Sequence, residues 1–359
     1  MAKIRARARA VDMLGRQQIA GTQNAVSELF KNAHDAYATL VRVDYLENLK
    51  LVLVRDNGVG MTRDDFEDKW LVLGTESKLG SGSAQHFRPP ELEARPVTGE
   101  KGIGRLAIAL LGRQVLVLTR AMREDGPHDL VAGLVHWGLF ELPGLNLDEI
   151  EIPVATFKGG TMPTDLDVAK LSEKLLKCLN SIAAAHPDLN IAGIRRDVTG
   201  FRPDPANLDE FMHPHDDGEL SLANGGCGTQ FIIGPATEIL GMEIAAEDRI
   251  QDWSFRKHLI GFENNVFLAQ PPPRIRTSFR HWRPGAIAGE ELLNTSQFFS
   301  PEELQNADHF LEGEVDQYGQ FKGSLRVYDK EYPELPVAWR DGAGKLTECV
   351  RLPNLQLKP

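Results

Sequence analysis

The chain has 359 residues, 42% of them hydrophobic and 25% charged, which is enough for two domains of roughly 100–200 residues each. A formal net charge of −11 excludes a basic footprint over the whole surface, so strong nonspecific nucleic-acid binding by this portion is not expected, although a local basic patch stays open. Cys178, Cys227 and Cys349 show no metal spacing and read as reduced thiols without a disulfide framework.

The first segment, Lys3-Ile-Arg5-Ala-Arg7-Ala-Arg9, is basic, but no long apolar run follows that would make a signal peptide or membrane span. A cytoplasmic protein without a membrane partner is therefore expected. The segment reads as a solvated terminus, with a basic helix beside a phosphate site or a dimer-swapped arm as the alternatives.

Next comes Glu28-Leu-Phe-Lys-Asn32-Ala-His-Asp35-Ala36. At 3.6 residues per turn, Glu28, Asn32 and Asp35 fall on one narrow face, and Val26, Leu29, Phe30, Ala33 and Tyr37 fall on the opposite one. The apolar stripe can pack on a sheet. A glutamate can orient and deprotonate water, and an asparagine carbonyl suits Mg²⁺ without adding charge beside a polyphosphate. An ordinary amphipathic helix with a solvated polar face would show the same spacing.

Residues 51–56 read as a strand, with Asp56 where it stops and Asn-Gly58-Val-Gly60-Met61 as the turn. A carboxylate there only accepts hydrogen bonds, which suits the amino group of adenine and disfavours the carbonyl of guanine. Gly58 and Gly60 would let backbone approach the base without a Cβ clash. A structural hairpin would also use Asp-Asn-Gly. A helix is expected near 64–71, then Gly74-Thr-Glu-Ser77-Lys78 and a loop over 79–97 carrying Gly80, Gly82, Pro89 and Pro90.

Thr98-Gly99-Glu-Lys101-Gly102-Ile103-Gly104-Arg105 then runs into an apolar helix, and backbone amides at such a start can cradle phosphates. The stretch 102–107 matches GxGxxA, but no strand immediately precedes it, and no GxxxxGK[ST] occurs here. Strands are expected over 113–120 and 130–139 with a turn at Asp125-Gly126-Pro127. A helix over 166–185 and a polar stretch to about Asp217 look like an insertion. Within it, His213-Pro-His215-Asp-Asp217 reads as a solvated loop and not as a metal site. The sheet resumes at Gly228-Thr229-Gln-Phe-Ile-Ile, followed by a helix over 247–260 and strands over 265–269 and 320–328.

In order, the acid–asparagine–acid helix, the strand ending Asp-x-Gly-x-Gly, the loop and Gly-x-Lys-Gly-x-Gly before a helix resemble the GHKL ATPases: gyrase B, heat-shock chaperone, histidine kinase, MutL and MORC. The style is closest to MORC and MutL. The resemblance implies a Bergerat-type α/β sandwich, a mixed sheet with helices on one face, over 1–240 with an insertion at about 160–217. A smaller transducer-like α/β domain over 241–359 would follow, and the chain would be one piece of a larger protein.

Carried over residue by residue, Glu28 is similar to the general base, Asn32 to the Mg²⁺ ligand and Asp56 to the adenine reader, with Gly58, Gly60 and Met61 beside it. Gly99, Lys101, Gly102, Ile103 and Gly104 correspond to the phosphate loop, and Lys78 to a lid-entry contact. Asp35 would support the site. Thr229 would join Asp56 at adenine through water; Gly159-Gly-Thr161 competes for that role but is followed by Met-Pro and no strand. Lys322 or Lys330 are candidates for a transducer lysine. The expected activity is Mg²⁺-dependent ATP binding and slow hydrolysis, with lid closure and an ATP-dependent homodimer acting on DNA or a protein client. A non-catalytic ATP-binding module is the alternative. A histidine kinase fits less well, because no histidine precedes the Glu28 helix.

Overall fold

A computed structural model describes residues 6–15, 19, 21–72, 87–95, 104–246, 259, 275–293, 306–315, 321–332, 338–340 and 346–348. The expectations for Lys78, Gly99, Lys101, Gly102, Ile103 and most of the 79–97 loop lie outside them, as do those for residues 247–258 and 265–269.

The chain divides into two compact units, Met1–Asn265 with Pro271–Asn294, and Val266–Gln270 with Thr295–Pro359. The first opens with α1 (Arg9–Gly15), α2 (Thr22–Asp35), β1 (Leu40–Leu46) and β2 (Leu51–Asp56), followed by α3 (Arg63–Asp65), which continues as a π-helical turn to Trp70. After α4 (Ile108–Leu111) come the long strands β3 (Gly112–Arg123) and β4 (Gly126–His136), and the short β5 (Val154–Phe157). Helices α5 (Asp165–Ala185), α6 (Ala192–Gly200) and α7 (Pro205–Met212) precede β6 (Gly228–Ala236), α8 (Glu238–Ala246), β7 (Arg276–Trp282) and β8 (Glu290–Glu291).

One eight-stranded sheet in the order β5-β4-β3-β6-β2-β1-β7-β8 organises the unit. It is mixed: β1 pairs in parallel with β7, and the other pairs are antiparallel. Because strand side chains alternate, the register assigns the faces. Val41, Val43 and Tyr45 share one face with Val52, Val54 and Asp56, and with Thr229, Phe231 and Ile233. Helices α2, α4 and α8 cover this face, with Phe66 against Gly133 and the Tyr45 hydroxyl beside Gly241.

The segment read as an insertion covers the other face. Phe201 lies on Gly234, Asp197 of α6 faces His136, and Met212 of α7 meets Arg280. Helices thus flank the sheet on both sides, a layer beyond the one-sided covering expected. In the loop 213–217, His213, Pro214 and Asp217 are exposed as expected, but Asp216 is buried and pairs with Arg55, while the His215 carbonyl accepts from Arg42 and Arg280.

Helix α2 forms where the apolar spacing predicts, burying Val26, Leu29, Phe30 and Ala33. Tyr37 does not extend that stripe. It adopts φ 61 beyond the helix end, where Ala38 N–H bonds the Ala33 carbonyl and Tyr37 N–H bonds that of His34, a left-handed stop that turns the chain into β1. The N-terminus also differs from a solvated tail: Ala8 and Val11 are buried, α1 packs beside residues 104–107, and Arg7 holds the Gly144 carbonyl and Asn146.

Residues 276–291, expected in the second domain, instead complete the main sheet, so that boundary falls near 294 and not 240. In the second unit, β9 (His309–Val315), β10 (Phe321–Val327) and β11 (Lys330–Tyr332) form an antiparallel sheet, and β12 (Ala338–Arg340) pairs with β13 (Leu346–Glu348). Lys322 and Lys330 lie on β10 and β11. No described helix is long and apolar enough to cross a membrane.

Candidate functional site

Three side chains form a row across neighbouring strands on the α2 face. Asp56 on β2 is the register partner of Thr229 on β6, which is the partner of Thr119 on β3. All three are buried. The Asp56 carboxylate accepts the Gly58 amide at 2.9 Å. Burial pushes its pKa up to about 7, against the opposing pull of hydrogen bonds from the Gly58 and Thr229 backbones.

The glycines of this turn admit no side chain. A Cβ on Gly60, whose φ is +58, would stand 2.0 Å from the Arg120 carbonyl oxygen, and one on Gly58 would meet the Ala36 carbonyl at 2.7 Å. Gly228, at φ +132, would press a Cβ to 2.0 Å from the Asp56 carbonyl oxygen. The half-buried Met61 sends its N–H to Thr119 Oγ1 at 2.9 Å. Arg123 ties the turn down, donating to the Val59 carbonyl at 3.0 Å and to Asp65 at 2.6 Å. Asp65 would be raised by burial, but hydrogen bonds from Lys69, Thr62 and Arg123 outweigh it and hold the carboxyl below its usual range.

On α2, Glu28 Oε1 pairs with Lys31 at 2.7 Å. The helical turn that begins at Gly104 sits directly on this face: a Cβ added at Gly104 would meet Glu28 Oε2 at 3.0 Å and Asn32 Nδ2 at 3.5 Å. Asp35 lies a turn further on, with its carboxylate 3.4 Å from His34 Nδ1, and is nearly enclosed. Arg95, in the described end of the loop, donates to the Ala38 carbonyl at 2.7 Å and stacks its guanidinium 5.5 Å from the Tyr37 ring centre.

Glu28 and Asn32 together offer hard oxygen donors one helical turn apart, which suits Mg²⁺ held mainly by substrate phosphates and water. Among the described residues, no group of three or more His, Cys, Asp or Glu is placed to form an all-protein cage. Between the two Gly-Thr candidates, Thr161 bonds the Lys158 carbonyl in an exposed turn, whereas Thr229 stands in the Asp56 row. Thr119, Arg123 and Arg95 escaped the sequence reading. The one available signal was Thr119, a hydroxyl at the end of the apolar run Val115–Leu118 on the same face as Val115 and Val117.

Residues 20–130 match the family described as Histidine kinase-, DNA gyrase B-, and HSP90-like ATPase. The chain is 30% identical over 114 residues to a putative type II restriction enzyme, HgiDII, of Herpetosiphon aurantiacus, a stretch covering 32% of this chain and 16% of that protein. It is 31% identical over 85 residues to the chaperone protein HtpG of Wigglesworthia glossinidia brevipalpis, covering 23% and 13%. These matches span less than a fifth of either relative. With its mixed sheet, its Asp-x-Gly-x-Gly strand end and its acid–asparagine helix under a glycine-led helix start, the chain resembles the GHKL ATPases over residues 20–130.

Proposed function

We propose that the chain binds ATP with Mg²⁺ and hydrolyses it slowly, using closure of the 79–97 segment to join two copies through their N-terminal units. The observation that carries this reading is Gly104 seated on Glu28 and Asn32, which brings a phosphate-loop helix start onto a base and a metal-ligand candidate. Asp56, assisted by Thr229, would accept from the adenine amino group. Lys31 engages Glu28 Oε1, which leaves Oε2, the oxygen facing Gly104, to orient and deprotonate the attacking water. Asn32 would hold the metal, which would supply positive charge against the phosphates. Amides at residues 102–104 would stabilise the charge that develops during transfer.

A cytoplasmic MORC- or MutL-like clamp is the form this activity takes in our reading, with residues 295–359 contributing to a transducer-like domain. The client is DNA or protein: one matched relative is named a restriction enzyme, the other a chaperone. The test combines Glu28→Gln with sedimentation. The variant should keep ATP affinity while losing turnover, and a nonhydrolysable ATP analogue should convert wild type from monomer to dimer. Equal turnover in the variant would remove Glu28 as base. A nucleotide-independent oligomeric state alongside intact hydrolysis would remove the clamp.

A further inference from the structure

Thr119 has no role in the chemistry described so far, yet it is fully buried beside the adenine reader and makes three polar contacts. Its Oγ1 lies 2.9 Å from Met61 N, 3.0 Å from the Gly228 carbonyl oxygen and 3.2 Å from Thr229 Oγ1. A hydroxyl has one hydrogen to give and two lone pairs to receive. Met61 N–H can only donate, so it occupies one lone pair. The Gly228 carbonyl can only accept, so it takes the Thr119 hydrogen. Thr119 therefore has a single remaining capacity, a lone pair, and its remaining neighbour is the Thr229 hydroxyl. In this arrangement Thr229 donates its hydrogen to Thr119 and keeps only lone pairs for the space beside Asp56.

We infer that Thr119 is a specificity-determining residue: by claiming the Thr229 hydrogen it makes Thr229 an obligate acceptor, so the pocket selects purines with a 6-amino group over those with a 6-oxo group. The inference rests on the reading of Asp56 and Thr229 as the adenine site. The backbone around this arrangement is tightly packed: a Cβ at Gly228 or Gly60 would stand 2.0 Å from the Asp56 or Arg120 carbonyl oxygen. Asp56 alone does not supply the same discrimination, because burial leaves its carboxyl titrating near neutrality, and its protonated form could donate to a 6-oxo group. A second acceptor of fixed polarity removes that ambiguity.

Thr119→Val deletes the hydroxyl at nearly constant volume and frees the Thr229 hydrogen to rotate toward the ligand or the water that bridges Thr229 to it. Calorimetric titration of the full chain with ATP and inosine triphosphate should show the ATP preference of wild type falling roughly three- to tenfold in the variant, the worth of one neutral hydrogen bond. Thr119→Ser should restore it. Thr229→Ala should lose the same preference, and Thr119→Val should add nothing in that background. If Thr119→Val does not fold, Thr119→Cys, whose thiol is a poor acceptor, carries the same expectation. Affinity for both nucleotides reduced equally, with the ratio intact, would make Thr119 a packing residue and overturn the inference. A wild type that binds neither nucleotide would instead overturn the site assignment on which the inference rests.

Discussion

Asp56 and Thr229 are direct cross-strand partners in the β2–β6 register, on the sheet face covered by α2. An acidic group and a hydroxyl far apart in the chain thereby become neighbours on one face of the sheet, and the Thr229 backbone amide itself bonds the carboxylate.

Replacing Asp56 with asparagine keeps the shape but exchanges a charged acceptor for a neutral one. ATP binding should weaken by roughly 1.5–3 kcal/mol, and GTP should compete poorly with wild type. Titration calorimetry checks both. Equal affinity of wild type for ATP and GTP would contradict the assignment.

The raised pKa of Asp56 has a sign that can be tested. Between its ordinary 3.8 and about 7, the folded protein binds a proton that the unfolded chain has released, so this group's stabilising contribution is complete at low pH and is lost as pH rises through about 7. An adenine amino group favours the ionised form, so ATP binding near pH 6 should release a proton, and affinity should climb toward pH 7. The neighbouring Cys227 thiol, pushed up by burial and then by the Asp56 charge, stays neutral across this range. Calorimetry in buffers of different ionisation enthalpy measures the proton, which Asp56→Asn should abolish.

Gly104→Ala places a methyl 3.0 Å from Glu28 Oε2, the end of a side chain that can give way. Stability should change by less than about 1 kcal/mol. Turnover should fall on the order of tenfold if Glu28 is the proposed base, because its carboxylate is displaced while the backbone amides remain. An unchanged rate in a phosphate-release assay would show that Gly104 does not abut the reacting centre.

On the opposite face, buried Asp44 accepts Arg280 Nε at 2.6 Å, Trp282 Nε1 at 2.8 Å and Arg55 Nη2 at 3.0 Å. Burial alone would raise its pKa, but Arg55, Arg280 and Trp282 together lower it, so this contribution is held at neutral pH and lost as pH falls. Arg280→Met removes one partner and leaves the carboxylate undercompensated, which should cost roughly 3–5 kcal/mol. Urea denaturation at pH 7 reads it, and a loss below about 1 kcal/mol would deny the network its role in fixing β7 to β1.

Local spacing was sufficient to locate the helix bearing Glu28 and Asn32, the strand ending at Asp56 and the glycines around it. These signals depend only on periodicity and backbone freedom over a few residues. The same reasoning carried the α2 stripe one residue set too far, to Tyr37, because the helix stop is made by carbonyls at Ala33 and His34 and by no glycine. The strand after Gly228-Thr229 already favoured Thr229 over Thr161, but tertiary structure alone decided that Thr119 completes the row, that residues 276–282 pair with β1, and that the insertion covers the second face. Each depends on the register between strands distant in sequence, where a shift of one residue would turn Thr229 or Thr119 to the other side of the sheet.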